Sequence, residues 1–239
     1  FDGDFFPDVP PYLLLGILGK DTVTGTGPYT HSFALLTTGL PPSFTLSDYN
    51  GYEERQFAGM RVEQLDLKYS LDGALEYSAK LLGKKSATAT TTTPTFGTVP
   101  PFLAWQCAVT IGGVSVPRVA GWDMTLQRKS EVLFAANNSQ DPRDIFVGPL
   151  QVTGKMTAYF EDNTELTHFL SNDQPAVVIT LTQDANTQMT ITMSKCAFSK
   201  AAVNRSKDYV MLDMEFEAVH NPTDNGPCTV AVKNAVPSY

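Results

Sequence analysis

With 239 residues, 42% of them hydrophobic, the chain is long enough to bury a sizeable core, as one large all-β domain or two small ones. Only 18% of residues are charged, and the formal charge of −8 argues against a surface that grips nucleic acid through clustered Lys and Arg. Cys107, Cys196 and Cys228 leave one thiol unpaired under any disulfide scheme, which favours a reducing compartment, and the longest apolar run, Leu13 to Leu18 broken by Gly16, is far short of a membrane span.

The chain opens on a Pro-rich approach, FDGDFFPDVPP, and then becomes apolar from Tyr12 to Leu18, closed by Gly19, which predicts a short buried helical turn. THSFALLTT and PPSFTLS follow as two short strands. His31, Phe33 and Leu35 share one face of the first, Phe44 and Leu46 share one face of the second, and Gly39-Leu40-Pro41-Pro42 turns between them.

The clearest register lies between Gly51 and Lys85. Leu65, Leu67, Tyr69 and Leu71 alternate with Asp66, Lys68, Ser70 and Asp72, and Leu75, Tyr77, Ala79 and Leu81 alternate with Glu76, Ser78 and Lys80. A two-residue turn would mix apolar and charged side chains on one face, so the pattern predicts a three-residue loop, Asp72-Gly73-Ala74. That loop pairs Tyr69 with Tyr77 and Leu67 with Ala79, and sets Asp66 against Lys80. Met60 and Val62 have the opposite parity from Leu65, which predicts a β-bulge near Glu63-Gln64.

SATATTTTPTFGTVPP has no apolar period and cannot offset its own ordering entropy, so it reads as a connector or as an arm that orders on a partner. The boundary between two halves is placed there, giving segments 1–85, 86–101 and 102–239. The second half opens with FLAWQCAVTI, in which Trp105, Cys107, Val109 and Ile111 alternate, and turns at Gly112-Gly113. WDMTLQRKSEVLFA reads as a hairpin with Trp122, Met124 and Leu126 facing Ala136, Phe134 and Val132. LQVTGKMTAYF reads as a strand interrupted at Gly154.

Asp162 to Asn172 is the best helix candidate, with Asp162 and Glu165 spaced as a capping box and Leu166, Phe169 and Leu170 as its apolar stripe. PAVVITLTQDANTQMTITMSK predicts a hairpin with Leu181 opposite Met189, Ile179 opposite Ile191 and Val177 opposite Met193, and with Asn186 left-handed in the loop. DYVMLDMEFEAV is a long strand with Asp213, Glu215 and Glu217 outward, and TVAVK is a last short one. The order helix, strand, turn, strand, irregular segment, long strand occurs from Tyr12 to Tyr69 and again from Asp162 to Val219, a weak internal repeat.

No residues converge on catalysis in the sequence. His31, His168 and His220 are isolated, with no metal-ligand spacing, and His31 reads as a hydrogen-bonded core residue. GILGKD and LLGKKS lack the full spacing of a phosphate loop, and the two Asn-x-Ser matches, at 137 and 204, are frequent by chance. Neither a cofactor nor a metal is expected. Trp105 and Trp122 read as core or interface side chains.

ERQFAG before the central hairpin, HSF near LPPSFTLS, and above all SQDPRDIFVGPLQVTGKMTAYFED resemble the tail tube proteins, or major tail proteins, of long-tailed bacteriophages. The resemblance implies a mainly β fold, a tail-tube-type β-sandwich or barrel with a short flanking helix, in one copy or two tandem copies. It implies a structural, non-catalytic subunit that assembles into stacked rings around the path of DNA ejection. Three double-domain subunits would make a ring, six being the alternative. Partners would be further copies, other tail proteins and DNA passing without specific binding, with no membrane; the place would be the virion tail, after assembly in the host bacterial cytoplasm. Family members usually continue N-terminally, so the first copy is expected to be truncated at Phe1.

On this reading Asp66, Asp72 and Glu76, tempered by Lys68 and Lys80, are candidates to face the lumen. Thr88, Thr91, Thr93 and Phe96 are candidates for contact between rings. The competing readings are a tail terminator, a secretion-system tube component, or an unrelated carbohydrate-binding or enzymatic β-sandwich.

Overall fold

The alternating segments become strands of two sheets in the computed structural model, which describes every residue except 94–96, 137 and 207. In chain order the first elements are β1 (Asp2–Asp4), α1 (Pro11–Leu18), β2 (Gly19–Thr24), β3 (Tyr29–Leu35), β4 (Phe44–Tyr49), β5 (Glu54–Ser70), β6 (Glu76–Leu82) and β7 (Ser86–Ala89). A short 3-10 turn, Ala104–Gln106, leads into β8 (Cys107–Ile111), β9 (Val114–Ser115), β10 (Val119–Arg128), β11 (Glu131–Leu133), β12 (Asp144–Phe146) and β13 (Leu150–Tyr159). The last are α2 (Thr164–Leu170), β14 (Val177–Thr182), β15 (Gln188–Met193), β16 (Cys196–Asn204), β17 (Met211–Ala218) and β18 (Thr229–Asn234).

A nine-stranded sheet runs β1-β6-β5-β10-β13-β17-β16, with β4 and β7 also pairing with β5; a seven-stranded sheet runs β2-β3-β18-β15-β14-β8-β9. Their dry faces meet in one core. Leu65, Leu67, Met124, Leu126, Val152 and Met214 come from the first sheet, and Phe33, Ile179, Leu181, Ile191, Val230 and Val232 from the second. At about 1.5–3 kcal/mol for each large apolar side chain withdrawn from water, this interface is the main favourable contribution to the fold. The protein is therefore a β-sandwich with short flanking helices.

Helix α1 adds Leu14, Ile17 and Leu18 to the core, all at 0% exposure. It stops because Gly19 takes φ 95°, a conformation glycine reaches without strain, and returns its N–H to the Leu15 carbonyl. Arg128 closes the same end: its Nε donates to the Ile17 carbonyl at 2.6 Å and its Nη1 to the Gly148 carbonyl at 3.0 Å. Burial lowers the pKa of this guanidinium from its ordinary value.

Segments 1–85 and 102–239 share both sheets and the core, because β5 pairs with β10 and β3 with β18. A recurrence in topology is present, but with different elements from the order read in sequence, since β3 and β4 do not form its first hairpin. Helix α1 precedes the β2–β3 hairpin of the seven-stranded sheet and the β4–β5 hairpin of the nine-stranded one. Helix α2 likewise precedes the β14–β15 hairpin and then the β16–β17 hairpin.

Several local expectations change. The central hairpin has its bulge between Val62 and Gln64, as the parity switch predicts, but its register is offset by two: Leu67 faces Tyr77, Leu65 faces Ala79, and Lys68 faces Glu76. An offset of two keeps every side chain on its face, so alternation alone could not detect it. It lengthens the turn and leaves Leu71 half exposed, since Leu75 and Ala104 are tied by backbone bonds to Phe102 and Gly73. The predicted β10–β11 hairpin does not form. β10 lies between β5 and β13, while β11 pairs with β12, leaving Phe134 69% exposed. β3 and β4 are not partners either: β3 pairs with β2 and β18, and β4 with β5.

Strand β13 is continuous through Gly154, where the Phe216 ring occupies the space a side chain would need. The capping box of α2 does not close. Asp162 accepts the Thr164 N–H at 2.8 Å, and Glu165 turns to Arg118 instead. Leu170 is 71% exposed rather than packed. The β14–β15 register is the one predicted, but Asn186 is not among the left-handed residues; its N–H donates to Asp184 Oδ1 at 2.7 Å. The segment expected to be irregular before β17 is strand β16.

The Thr-rich segment is partly ordered on its own chain. Ser86–Ala89 pairs with the start of β5, and Glu54, 3% exposed, accepts the Thr92 N–H at 2.5 Å and the Thr92 hydroxyl at 3.0 Å. Hydrogen bonds to a carboxylate replace the apolar burial this segment lacks.

Candidate functional site

The outer face of the nine-stranded sheet carries the polar half of every alternation. Six antiparallel pairings align one residue from each strand in a single row: Asp4, Glu76, Lys68, Asp123, Lys155, Glu215 and Lys200. From Glu76 onward the sign alternates at every step. Lys68 Nζ lies 3.9 Å from Glu76, Lys155 Nζ 3.7 Å from Glu215 and Lys200 Nζ 3.5 Å from Glu215. These pairs are solvent-exposed, and each contributes about 0–1 kcal/mol. Their common effect is on the potential of the face rather than on stability.

A second row holds Asp2, Ser78, Asp66, Thr125, Thr153 and Glu217. Asp66 accepts the Thr125 hydroxyl at 2.6 Å and both of its oxygens accept from Gln64 Nε2, at 2.7 and 3.0 Å. Neutral hydroxyls and amides fill the rest: Gln127 lies between Gln64 and Gln151. Carboxylates at 2, 4, 66, 76, 123, 213, 215 and 217 outnumber lysines at 68, 80, 155 and 200. Shallow depressions of ≈ 450 and ≈ 340 Å³ mark this face, one over Asp123, Lys155 and Glu217, the other over Asp2, Asp66 and Lys68.

Of the residues predicted to face a lumen, Asp66, Lys68, Glu76 and Lys80 stand on this face together. Asp72 does not: it lies in the exposed turn beyond β5. Lys80 pairs with bulge residue Glu63 at 2.8 Å, not with Asp66. Asp2, Asp4, Asp123, Lys155 and Lys200 share the face, although the sequence does not single them out. Each has the right parity within its own strand, but the strand order that joins them depends on pairings distant in sequence. Thr88, Thr91 and Thr93 are exposed, and Phe96 lies outside the described residues.

Other polar clusters hold the frame. His31, 0% exposed, places Nδ1 2.8 Å from Asp21 and donates from Nε2 to the Val236 carbonyl at 2.7 Å, the hydrogen-bonded core role expected of it. Arg118 Nη2 donates to both Glu165 oxygens at 2.7 and 2.8 Å, which raises the pKa of the guanidinium and ties α2 to the segment leading into β10. Burial pushes the Cys196 and Cys228 thiols up to about 12, so both remain protonated. Trp122 is buried and stacks on Tyr69 at 5.6 Å, whereas Trp105, in the 3-10 turn, is 77% exposed. Among the described residues no group of His, Cys, Asp or Glu is placed to hold a metal ion, and no helix is long and apolar enough to cross a membrane.

The fold and this face define a mainly β protein, a sandwich with one broad, mixed-charge, carboxylate-rich outer face. The chain belongs to the phage tail tube protein family, whose sequence model matches residues 1–218 of the 239. The match ends with β17, and β18, between β3 and β15 in the second sheet, lies beyond it. No curated protein matches the chain. Membership gives the protein a structural role in the virion tail, in assembly with itself and with other tail proteins.

Proposed function

We propose that this subunit closes into rings that stack into the tail tube, and that the polar face of the nine-stranded sheet lines the conduit through which DNA leaves. The observation that carries the reading is the continuous face of carboxylates, lysines, hydroxyls and amides in a member of the tail tube family. A lining with excess negative charge repels phosphates within a Debye length, about 8 Å at physiological salt, and the interspersed lysines keep the repulsion moderate. DNA would then slide without binding.

The repeated order of helix, hairpin in one sheet and hairpin in the other favours a subunit equivalent to two tube units, hence three subunits per ring and not six. On this reading segments 1–85 and 102–239 are the two units joined by 86–101. Assembly takes place in the host cytoplasm. Thr88, Thr91, Thr93 and Phe96 contact the neighbouring ring. Removing 90–97 would leave folded rings that do not elongate, and normal tube length would overturn that role.

The main test is an averaged cross-section of tubes grown from purified protein. Three copies per ring with Asp66, Lys68 and Glu76 on the inner wall are expected. A tube with these side chains on its outer wall would refute the lumen assignment, and six copies would refute the two-unit reading.

A further inference from the structure

We propose that neighbouring copies meet through the two ends of the nine-stranded sheet, with β16 of one copy beside β1 of the next and Lys200 set against Asp4. The inference rests on the ring reading above and names its seam. Among the described residues β1 pairs as a strand only with β6, and β16 only with β17; the Cys196 N–H at the start of β16 is taken by the Pro175 carbonyl at 3.0 Å, so the edge available for a neighbour runs from Ala197 to Asn204. The six pairings between them are all antiparallel, so the two edge strands run in the same direction. A rotation about an axis along the strands brings them together as a parallel pair with both polar faces on one side. Repeating that rotation closes a ring and removes the edges.

Charge selects this contact over its alternatives. The row described above ends at β1 with two like charges side by side, Asp4 and Glu76, an unfavourable cross-strand pair. At β16 it ends with Glu215 already served by Lys155 and by Lys200. One end of the sheet therefore has a surplus anion and the other a surplus cation, at the same level of the ladder. Joining β16 to β1 continues the alternation across the seam. A twofold contact would set Asp2 and Asp4 against their own copies, or Lys200 against itself, and both arrangements repel.

The backbone alone would define the register poorly. β16 is interrupted by a bulge at Ser199, whose hydroxyl donates to the Glu215 carbonyl at 3.3 Å. The bulge shortens the possible ladder, as in edges protected from indiscriminate pairing. The ion pair is then the element that tells the correct neighbour from a wrong one.

The test uses Lys200→Glu, Asp4→Lys and the double exchange, in the full chain. Both positions are exposed, and circular dichroism should show all three variants folded. Each single reversal is expected to lower the fraction sedimenting as rings or tubes about tenfold at low salt, with the double exchange recovering at least half of the wild-type level. Single variants that assemble as the wild type does, or a double exchange no better than either, would overturn the seam while leaving the tube reading intact. Wild-type protein that forms neither rings nor tubes would overturn both.

Discussion

Gly154→Ala is a demanding test of the packing between the two sheets, because one methyl group is added at the centre of the nine-stranded sheet. Its Cβ would stand 2.3 Å from Phe216 Cζ, 2.8 Å from Cε2 and 2.9 Å from the Asp123 carbonyl oxygen. Ordinary contacts between carbon atoms are about 3.5–4.0 Å, so the Phe216 ring must move by more than about 1 Å. That ring is 2% exposed and lies edge-on to Phe198 at 6.3 Å, so its movement disturbs packed neighbours. The carbonyl belongs to the neighbouring strand and cannot rotate away. Overpacking of this kind costs about 1–3 kcal/mol, offset by about 0.5 kcal/mol for relieving the entropy of a strand glycine.

The net expectation is a loss of about 1–2 kcal/mol, read as a lower urea midpoint at unchanged slope. Phe216→Leu alone leaves a partial cavity and destabilises by a similar amount. The two together should cost about 1 kcal/mol less than their sum, since the shorter side chain vacates the space the methyl fills. A neutral Gly154→Ala variant, or strict additivity with Phe216→Leu, would show that the ring does not lie over Gly154.

Arg118→Ala should destabilise by about 3–5 kcal/mol, because it leaves the Glu165 carboxyl, at 6% side-chain exposure, without its ion-pair partner; Glu161→Ala, at the exposed end of the same cluster, should change stability by under about 1 kcal/mol. Cys196 and Cys228 should react with an aromatic disulfide reagent only after denaturation. Folding raises both thiol pKa values from 9.0 to about 12, so unfolding releases protons above pH 9 and stability should fall between pH 9 and 12; replacing both by Ala should flatten that decline. Glu54→Ala removes the acceptor of the Thr92 N–H and hydroxyl, so amide exchange over 86–93 should accelerate at least tenfold while the exchange of β10 stays unchanged.

What the chain states by itself is local. Alternation identifies Leu65 to Tyr69, Val177 to Leu181 and Leu212 to Ala218 as strands with one dry face, and it locates the bulge at Glu63, because parity along a strand is a property of neighbouring residues. The β14–β15 register was also legible, since a short loop leaves little freedom in how its two strands pair.

Pairing between remote strands was not legible. β10 could join β5, β13 or β11 with equal sense on its apolar face, and the choice is made by how the whole core fills. β7 and β16 were overlooked because their small and polar residues carry weak period-2 signals, and they are strands only because β5 and β17 offer an edge. The charged row follows the same rule: Lys68, Asp123, Lys155 and Glu215 are spread over nearly 150 positions of sequence, and only backbone hydrogen bonds between their strands make them neighbours. The sequence alone determined which side of each strand meets water; the tertiary structure decided which of those wet sides form one surface, because strand order is set by contacts no local pattern encodes.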